Sequence, residues 1–495
     1  MRNPTLDRII AALHRSVAVA VACGVLAACA VPPRPELPPL RSEAPLAGLA
    51  LADHGDWPAA QWWRQYADRQ LDDLETRALA NSPSLDEAQR RLQTLIAAVD
   101  SARATAGLAA QGNLELQRQR LSENGLIPPR FLGFTWYNQA DLNLQFKYDF
   151  DLFGKTRAAV AGAIDQARAG EAERSAASLA LTAAVADVYF GWQVDQAHLA
   201  LARDSEQALE RLRTLVTLRV ARGIDVADSI HQSQARLAAA RELRVAWAGS
   251  AQLRLAALAA LLGVAPAELP TLQPHALPPI DAHLPADVGL DLIARRPDIA
   301  AARWRVEAAM RQVDRARAQF YPDIGIAGLV GLQSLDLDKL LNLDSRLLGV
   351  GPALHLPLFA RGQLKAAYGV SQAQLDAAAA QYDAVVVSAA NDVATQALAL
   401  TQAQARRSER EAQLATAGEL HTLATARARQ GLVDERAVLA AQVELLQQRD
   451  ALLALDAQSV AAQVALTKAL GGGYRSDAPA GAPSHSTPTD RVLPR

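Results

Sequence analysis

Asp141-Leu-Asn-Leu-Gln-Phe-Lys-Tyr-Asp-Phe150, running on into Asp151-Leu-Phe-Gly-Lys155, is the stretch on which the fold turns. Leu142, Leu144, Phe146, Tyr148 and Phe150 share one parity, and Asp141, Asn143, Gln145, Lys147 and Asp149 share the other. Strict alternation over ten residues predicts a strand. The length matches a tilted membrane-crossing strand of about 9–11 residues. One face of a soluble sandwich gives the same alternation, since the pattern does not reveal what covers the apolar side. Downstream there is no proline before Pro266, and the chain reads helical from Phe153 almost to Arg222, with only Gly162, Gly170 and Gly191 interrupting. A helix of that length extends roughly 100 Å at about 1.5 Å per residue.

The same passage occurs a second time. Leu354-His-Leu-Pro-Leu-Phe359-Ala-Arg opens a segment free of proline until Pro479. Phe153 aligns with Phe359, Leu114 with Ile324, Gly223 with Gly431, and Leu262-Gly263 with Leu470-Gly471. The period of about 208 residues is far longer than that of a solenoid repeat and reads as an internal duplication.

The segmentation follows. Residues 61–263 form a first repeat, with strands expected at about 112–121 and 141–152 and helical pattern over 62–111, broken at Ser82-Pro83. Residues 121–140, with Gly125, Pro128, Pro129 and Gly133, read as a loop. Residues 264–286 are a proline-rich linker. A second repeat covers 287–471, with strands at about 322–332 and 348–358 and a long helix from about 361 to Gln430. Residues 472–495 have the Gly/Pro/Ser composition of a disordered tail. The fold class is mainly α with a small β part, built of long helical hairpins and four strands per chain.

Half of the 495 residues are hydrophobic but only 5% are aromatic, so alanine dominates the apolar count. That suits closely packed helices. A net charge of −2 and a pI near 6.5 leave no basic footprint for nucleic acid. The apolar content excludes disorder throughout.

Arg2, Arg8 and Arg15 precede an apolar run from Val17 to Ala28, too short to stay in a bilayer as a spanning helix. Leu26-Ala27-Ala28-Cys29 resembles the bacterial lipobox, so residues 1–28 read as a lipoprotein signal peptide and Cys29 as the lipid attachment site. A cysteine that merely follows an ordinary signal peptide is the competing reading. Cleavage at Cys29 removes Cys23 and leaves no disulfide partner. Residues 29–60, rich in proline, read as a tether, and Trp57, Trp62 and Trp63 as the point where it packs on the body. Ala30 in place of aspartate implies, by the lipoprotein pattern, delivery to the outer membrane.

Four strands cannot close a membrane barrel, since the smallest use eight. An open sheet edge is not tolerated in hydrocarbon. The strands must therefore be pooled with copies of the same chain.

Several short motifs carry a family resemblance. They are Asp151-Leu-Phe-Gly-Lys155, Pro357-Leu-Phe-Ala-Arg-Gly362, Arg295-Arg-Pro-Asp298 with Ala301-Ala-Arg303, Phe320-Tyr-Pro322, and Gly349-Val-Gly-Pro352. In order over about residues 57–471, they resemble the TolC-like outer membrane factors of tripartite efflux systems, and especially the lipidated NodT-type branch. The resemblance implies a homotrimer with a 12-stranded transmembrane β-barrel and a periplasmic barrel of long helices. It also implies a periplasmic adaptor, an energised inner-membrane transporter, and a passive exit duct for drugs, toxic organics or metals. An exit duct for type I protein secretion and a non-pore periplasmic coiled-coil scaffold are the alternatives.

On that reading Asn143, Gln145, Lys147, Asp149 and His355 face the lumen, and Phe131, Phe134, Trp136 and Tyr137 are candidates for an aromatic girdle at the outer leaflet. A loop folded on its own aromatics explains the last four equally well. Arg222, Asp225, Asp228, Arg429 and Asp434, near the helix turns, are candidate gate residues; solvated charges at helix ends are the competing account. The family's usual lock departs here, with Ala428 in Arg427-Ala-Arg-Gln-Gly431 and Ala440 in Leu439-Ala-Ala-Gln442. Phe153-Gly-Lys-Thr156 is no phosphate loop, because Asp149 stands where its first glycine belongs. The histidines show no ligand spacing, and no catalytic constellation, metal site or cofactor motif is expected.

Overall fold

The computed structural model describes residues 31–46, 53–124, 128–280, 284–285, 288–357 and 359–476. The first half contains β1 (Asp53–Gly55), a 3-10 turn Trp62–Tyr66, α1 (Arg69–Asn81), α2 (Pro83–Ala104) and β2 (Ala109–Arg120). It continues with α3 (Pro129–Leu132), β3 (Trp136–Phe150), α4 (Lys155–Ala221) and α5 (Asp228–Leu262). Next come β4 (Leu284–Pro285), α6 (Val288–Arg295), α7 (Pro297–Ala318), β5 (Asp323–Ser334) and β6 (Arg346–His355), then α8 (Arg361–Arg429) and α9 (Glu435–Ala469). The chain divides into two compact units, one of residues up to 39, 93–169 and 303–381, the other of 40–92, 170–302 and from 382 on.

The first unit holds a four-stranded antiparallel sheet of order β2-β3-β5-β6. Register keeps like with like. Leu114 faces Leu142, which faces Leu332; Leu144 faces Val330, which faces Leu348; Phe150 faces Ile324, which faces Leu354. Glycine lets β3 and β5 close at two rows. A Cβ on Gly331 would stand 2.6 Å from the Leu142 carbonyl oxygen, and one on Gly325 2.6 Å from that of Tyr148.

The motif that follows β3 turns the strand into a helix residue by residue. The Asp151 carboxylate accepts the amides of Thr156 (3.0 Å) and Arg157 (2.8 Å), capping the first turn of α4. Phe153 stacks on Tyr321 with ring centroids 4.3 Å apart and planes 8° apart. Gly154 takes φ +78°, and Lys155 pairs with Asp323 at 2.9 Å.

In the second unit Trp62, Trp63, Leu71, Leu74, Tyr189, Phe190, Leu258, Leu262, Val460 and Val464 form one buried cluster. The Asp68 side chain caps α1 by accepting the amides of Gln70 and Leu71, and it also accepts a hydrogen bond from the Tyr189 hydroxyl at 2.5 Å. Arg296 bridges Asp298 (2.6 Å) and Asp392 (3.2 Å) and donates to the Ala469 carbonyl at the end of α9. Its neighbour Arg295 lies over the Trp57 ring at 4.4 Å.

α4 and α8 run uninterrupted for 67 and 69 residues. Gly162, Gly170 and Gly191 stay inside α4, where each costs about 1 kcal/mol relative to alanine. The hairpin turns are matched. Gly223 (φ +72°) and Gly431 (φ +73°) end α4 and α8, with the Ile224 amide reaching back to Arg219 and the Leu432 amide to Arg427, each at 2.9 Å.

Several expectations need correction. The helical pattern over 62–111 ends at Ala104, and β2 occupies Ala109–Arg120. The 121–140 loop is shorter, because β3 begins at Trp136 and ends at Phe150 rather than 152. β5 continues to Ser334, and β6 is Arg346–His355 rather than 348–358. Within the 264–286 linker, β4 pairs in parallel with β1. The tether is not free where it is described. In the first unit Arg34 donates to both oxygens of Asp314 at 2.8 Å, and the Tyr368 hydroxyl donates to the Pro33 carbonyl at 2.6 Å. In the second, the Tyr382 hydroxyl donates to the Arg41 carbonyl, and Ala44 is buried with its amide on the Gly289 carbonyl. Residues 1–30, Cys29 among them, and residues 477–495 of the tail lie outside the described residues.

The β3–β5 closure yields a paired prediction. Gly331→Ala forces backbone to move and is expected to cost about 1–3 kcal/mol. Gly349→Ala, with nothing within 4 Å of the added methyl, should stay within about 0.5 kcal/mol. Urea unfolding midpoints of the two variants decide it.

Candidate functional site

The sheet presents two chemically opposite faces. On the even-numbered side of β3, Trp136, Leu142, Leu144, Tyr148 and Phe150 are all exposed, and so are Leu114, Leu116, Ile326, Val330, Leu348, Val350 and Leu354 on the neighbouring strands. The odd-numbered side of β2 and β3 carries Gln111, Asn113, Glu115, Asp141, Asn143, Gln145, Lys147 and Asp149. These polar groups bond along and across strands: the Asn113 amide donates to Asn143 at 3.3 Å, the Gln145 amide to Asn143 at 3.3 Å, and Lys147 pairs with Asp149 at 2.9 Å. His355, paired in register with Asp323, is on the same side. Thus Asn143, Gln145, Lys147, Asp149 and His355 share one face.

On the odd side of β5 and β6 the middle positions are small or apolar (Gly325, Ala327, Leu329, Gly331, Leu347, Gly349, Gly351 and Ala353), with Asp323, Gln333 and His355 the polar residues at the strand ends. The two halves of the duplication therefore contribute a polar stripe and a smooth one. Trp136 joins the apolar face, but Tyr137, one residue on, lies on the polar face, where its hydroxyl donates to Gln119 at 2.8 Å. The aromatic set expected at the outer leaflet is thus split. A continuous exposed apolar sheet face of this extent is not a stable surface in water.

A second cluster lies at the tips of the hairpins. Arg219 donates to both oxygens of Asp225, at 2.8 and 3.2 Å, across the Gly223 turn. Arg436 reaches the same carboxylate at 2.9 Å and also binds Asp434 at 2.8 Å. Asp434 caps α9 through the Arg436 amide and stands 3.6 Å from Arg219. Two carboxylates and two guanidinium groups thus tie the α4/α5 turn to the α8/α9 turn, and Arg211–Glu435 adds a further pair. The hydrogen bonds from Arg219 hold the Asp225 carboxyl below its ordinary range, and those from Arg436 do the same for Asp434.

Of the five residues expected there, the structure brings together Asp225 and Asp434. Arg222, Asp228 and Arg429 are exposed and make no ion pair among the described residues. Sequence reasoning missed Arg219 and Arg436. A helix C-terminal turn that favours cations marks Arg219, and the first turn after the capping Asp434 marks Arg436, but nothing local links two residues so far apart.

Residues 74–264 and 290–472 match the outer membrane efflux protein family. The chain belongs to that family. The multidrug resistance outer membrane protein MdtP of Escherichia coli (strain K12) is 34% identical over 438 residues, covering 86% of this chain and 89% of the relative. The crystal structure of VceC from Vibrio cholerae superposes with a TM-score of 0.74 at 33% identity, over 85% of this chain and all of that one. The outer-membrane channel OprN gives 0.80 at 25% identity, over 90% and 99%. An outer membrane efflux protein accounts for the sheet, whose apolar face then has lipid to meet.

The tip network predicts non-additivity. Asp225→Asn and Arg436→Gln should each lower the thermal unfolding midpoint, and the double variant should lose little more than the worse single one. The sign with pH follows from the depressed carboxyls. Their contribution is complete above the ordinary aspartate value of about 3.9 and is lost as pH falls through the lower folded-state values. The coupling should be flat from neutral pH down to about 5 and vanish in strong acid.

Proposed function

We propose that three copies of this chain form a lipid-anchored exit duct in the cell outer membrane, the outer member of a tripartite efflux pump. One observation carries the reading: a four-stranded sheet with an exposed apolar face and two long edges, β2 and β6, unpaired among the described residues. Each edge leaves a ladder of amides and carbonyls that hydrocarbon cannot satisfy, at several kcal/mol per group. Rotational symmetry closes the sheet only if β6 of each copy pairs with β2 of the next. Three copies of four strands give twelve, an even number within the range of outer-membrane barrels.

In that barrel the even-numbered faces meet lipid. The odd-numbered faces line a wet lumen with Asn143, Gln145, Lys147, Asp149 and His355. The helices α4, α5, α8 and α9 of the three copies form a wall in the periplasm; the leucines they leave exposed, such as Leu253 at 74% and Leu398 at 60%, then pack between copies. Movement through the duct is passive. A periplasmic adaptor and an inner-membrane transporter drive export of small molecules such as drugs, toxic organics or metals. Cys29 carries the acyl chains. The arm at 31–46, bonded to the body through Arg34 and Arg41, then fixes the anchor to the channel rather than trailing from it.

The Asp225–Arg436 cluster holds the periplasmic end closed. In planar bilayers the purified wild-type protein should conduct weakly, and Asp225→Asn should raise the resting conductance several-fold; a water-soluble monomer that never conducts would overturn the proposal. Lipidation is checked separately. Mass spectrometry of the mature N-terminus should find a diacylated or triacylated Cys29, and Cys29→Ser should abolish acylation while leaving conductance intact.

A further inference from the structure

The apolar face of the sheet carries charge at one end only, and of one sign. Reading the even-numbered positions of β2, β3, β5 and β6 gives Arg118, Arg120 and Arg346 as its only ionisable side chains apart from Tyr148. Every carboxylate of these strands (Glu115, Asp141, Asp149 and Asp323) is on the opposite face. All three arginines are exposed, and none pairs with a carboxylate among the described residues. They sit at the ends of β2 and β6 remote from the long helices: β2 finishes at Arg120, and β6 starts at Arg346. Trp136 belongs to this end as well, with the Arg118 guanidinium over its ring at 5.6 Å.

Beside Arg346 the face is furrowed. A groove of about 480 Å³ is lined by Gly112, Leu142, Leu144, Val330, Leu332 and Leu348, together with Arg346. An apolar groove with one guanidinium in its lining has the chemistry of a site for an acyl chain with an anionic head.

We propose that this outer rim binds the phosphate groups of an anionic, acylated membrane lipid. The inference rests on the barrel described above, and that barrel sharpens it. Closure by β6 against β2 of the next copy places Arg118 and Arg120 on the strand beside the one bearing Arg346 of the partner subunit. The two strands of each seam then carry three guanidinium groups and no carboxylate on a surface facing hydrocarbon and headgroups. Like charges gathered in a low-dielectric setting repel one another unless an anion lies between them. Guanidinium is suited to that anion, because its planar fork grips phosphate oxygens in pairs. The opposite end of the same face, with Tyr148, Phe150, Ile324 and Leu354, offers no cation, so the site discriminates between the two leaflets.

The test uses the full-length protein in phosphatidylcholine nanodiscs containing equal minor amounts of bisphosphorylated and dephosphorylated lipid A, with retained lipid quantified by mass spectrometry after detergent extraction. Wild type should retain the bisphosphorylated form about tenfold over the other. The triple variant Arg118→Gln, Arg120→Gln, Arg346→Gln should lose that preference, and the matching triple Arg→Lys should keep most of it. No preference in the wild type, or an undiminished one in the Gln triple, overturns the proposal. So does complete displacement of the lipid by inorganic phosphate, which would make the site one for a free anion. Bilayer conductance separates the two readings: a wild type that never conducts fails the channel and with it the seam, whereas a conducting wild type with no lipid preference fails the lipid site alone, and the Gln triple variant is expected to conduct unchanged.

Discussion

The structure depends on backbone hydrogen bonding at the two edges of one sheet. β3 and β5 have partners on both sides, while β2 and β6 have one each. In water such edges are satisfied by solvent. The exposed leucine, valine and aromatic side chains of the even-numbered face show that this sheet is not built for water. Apolar surroundings and unpaired edges are incompatible in a single chain, and only other strands resolve the conflict. On the proposed reading oligomerisation is therefore a condition for the fold of the sheet, not an addition to a finished domain.

The duplication divides the work unequally. Both halves supply a strand pair, a long helix and a returning helix, with the same glycine turn at the tips. The first half gives the polar stripe and the capped strand-to-helix junction, in which Asp151, Phe153, Gly154 and Lys155 each have a distinct contact. The second half gives glycine and alanine on the matching face, which lets β5 lie close against β3. At the tips the halves meet again, because Asp225 from the first is held by Arg436 from the second.

What could be read from the sequence follows the range of the forces involved. The centre of β3 was legible because lipid and water impose strict alternation there. Its first five residues, Trp136 to Ala140, were not, since Asn138 and the small Ala140 stand at the apolar parity and the alternation fades. Arg346 hid the start of β6 for the same reason: it is a charge on the apolar face. The helix that ends at Ala104 reads longer in sequence than it is, because the alanine-rich residues 105–111 keep a helix-forming composition. Only pairing with β3 turns Ala109 and its successors into strand. Turns fixed by Gly223 and Gly431 were legible, since positive φ leaves few alternatives to glycine. The partners of Asp225 and Asp434 were not. Arg219 lies only six residues from Asp225 and Arg436 two from Asp434, but Arg436 is brought to Asp225 by packing across more than two hundred residues.

The most direct test of the central claim is amide hydrogen exchange of the protein in its membrane-inserted state, resolved strand by strand. If sister chains complete the sheet, the amides of β2 and β6 will be protected to the same degree as those of β3 and β5. Rapid exchange along β2 and β6, with protection confined to β3 and β5, would show that the edges remain open and would contradict the account.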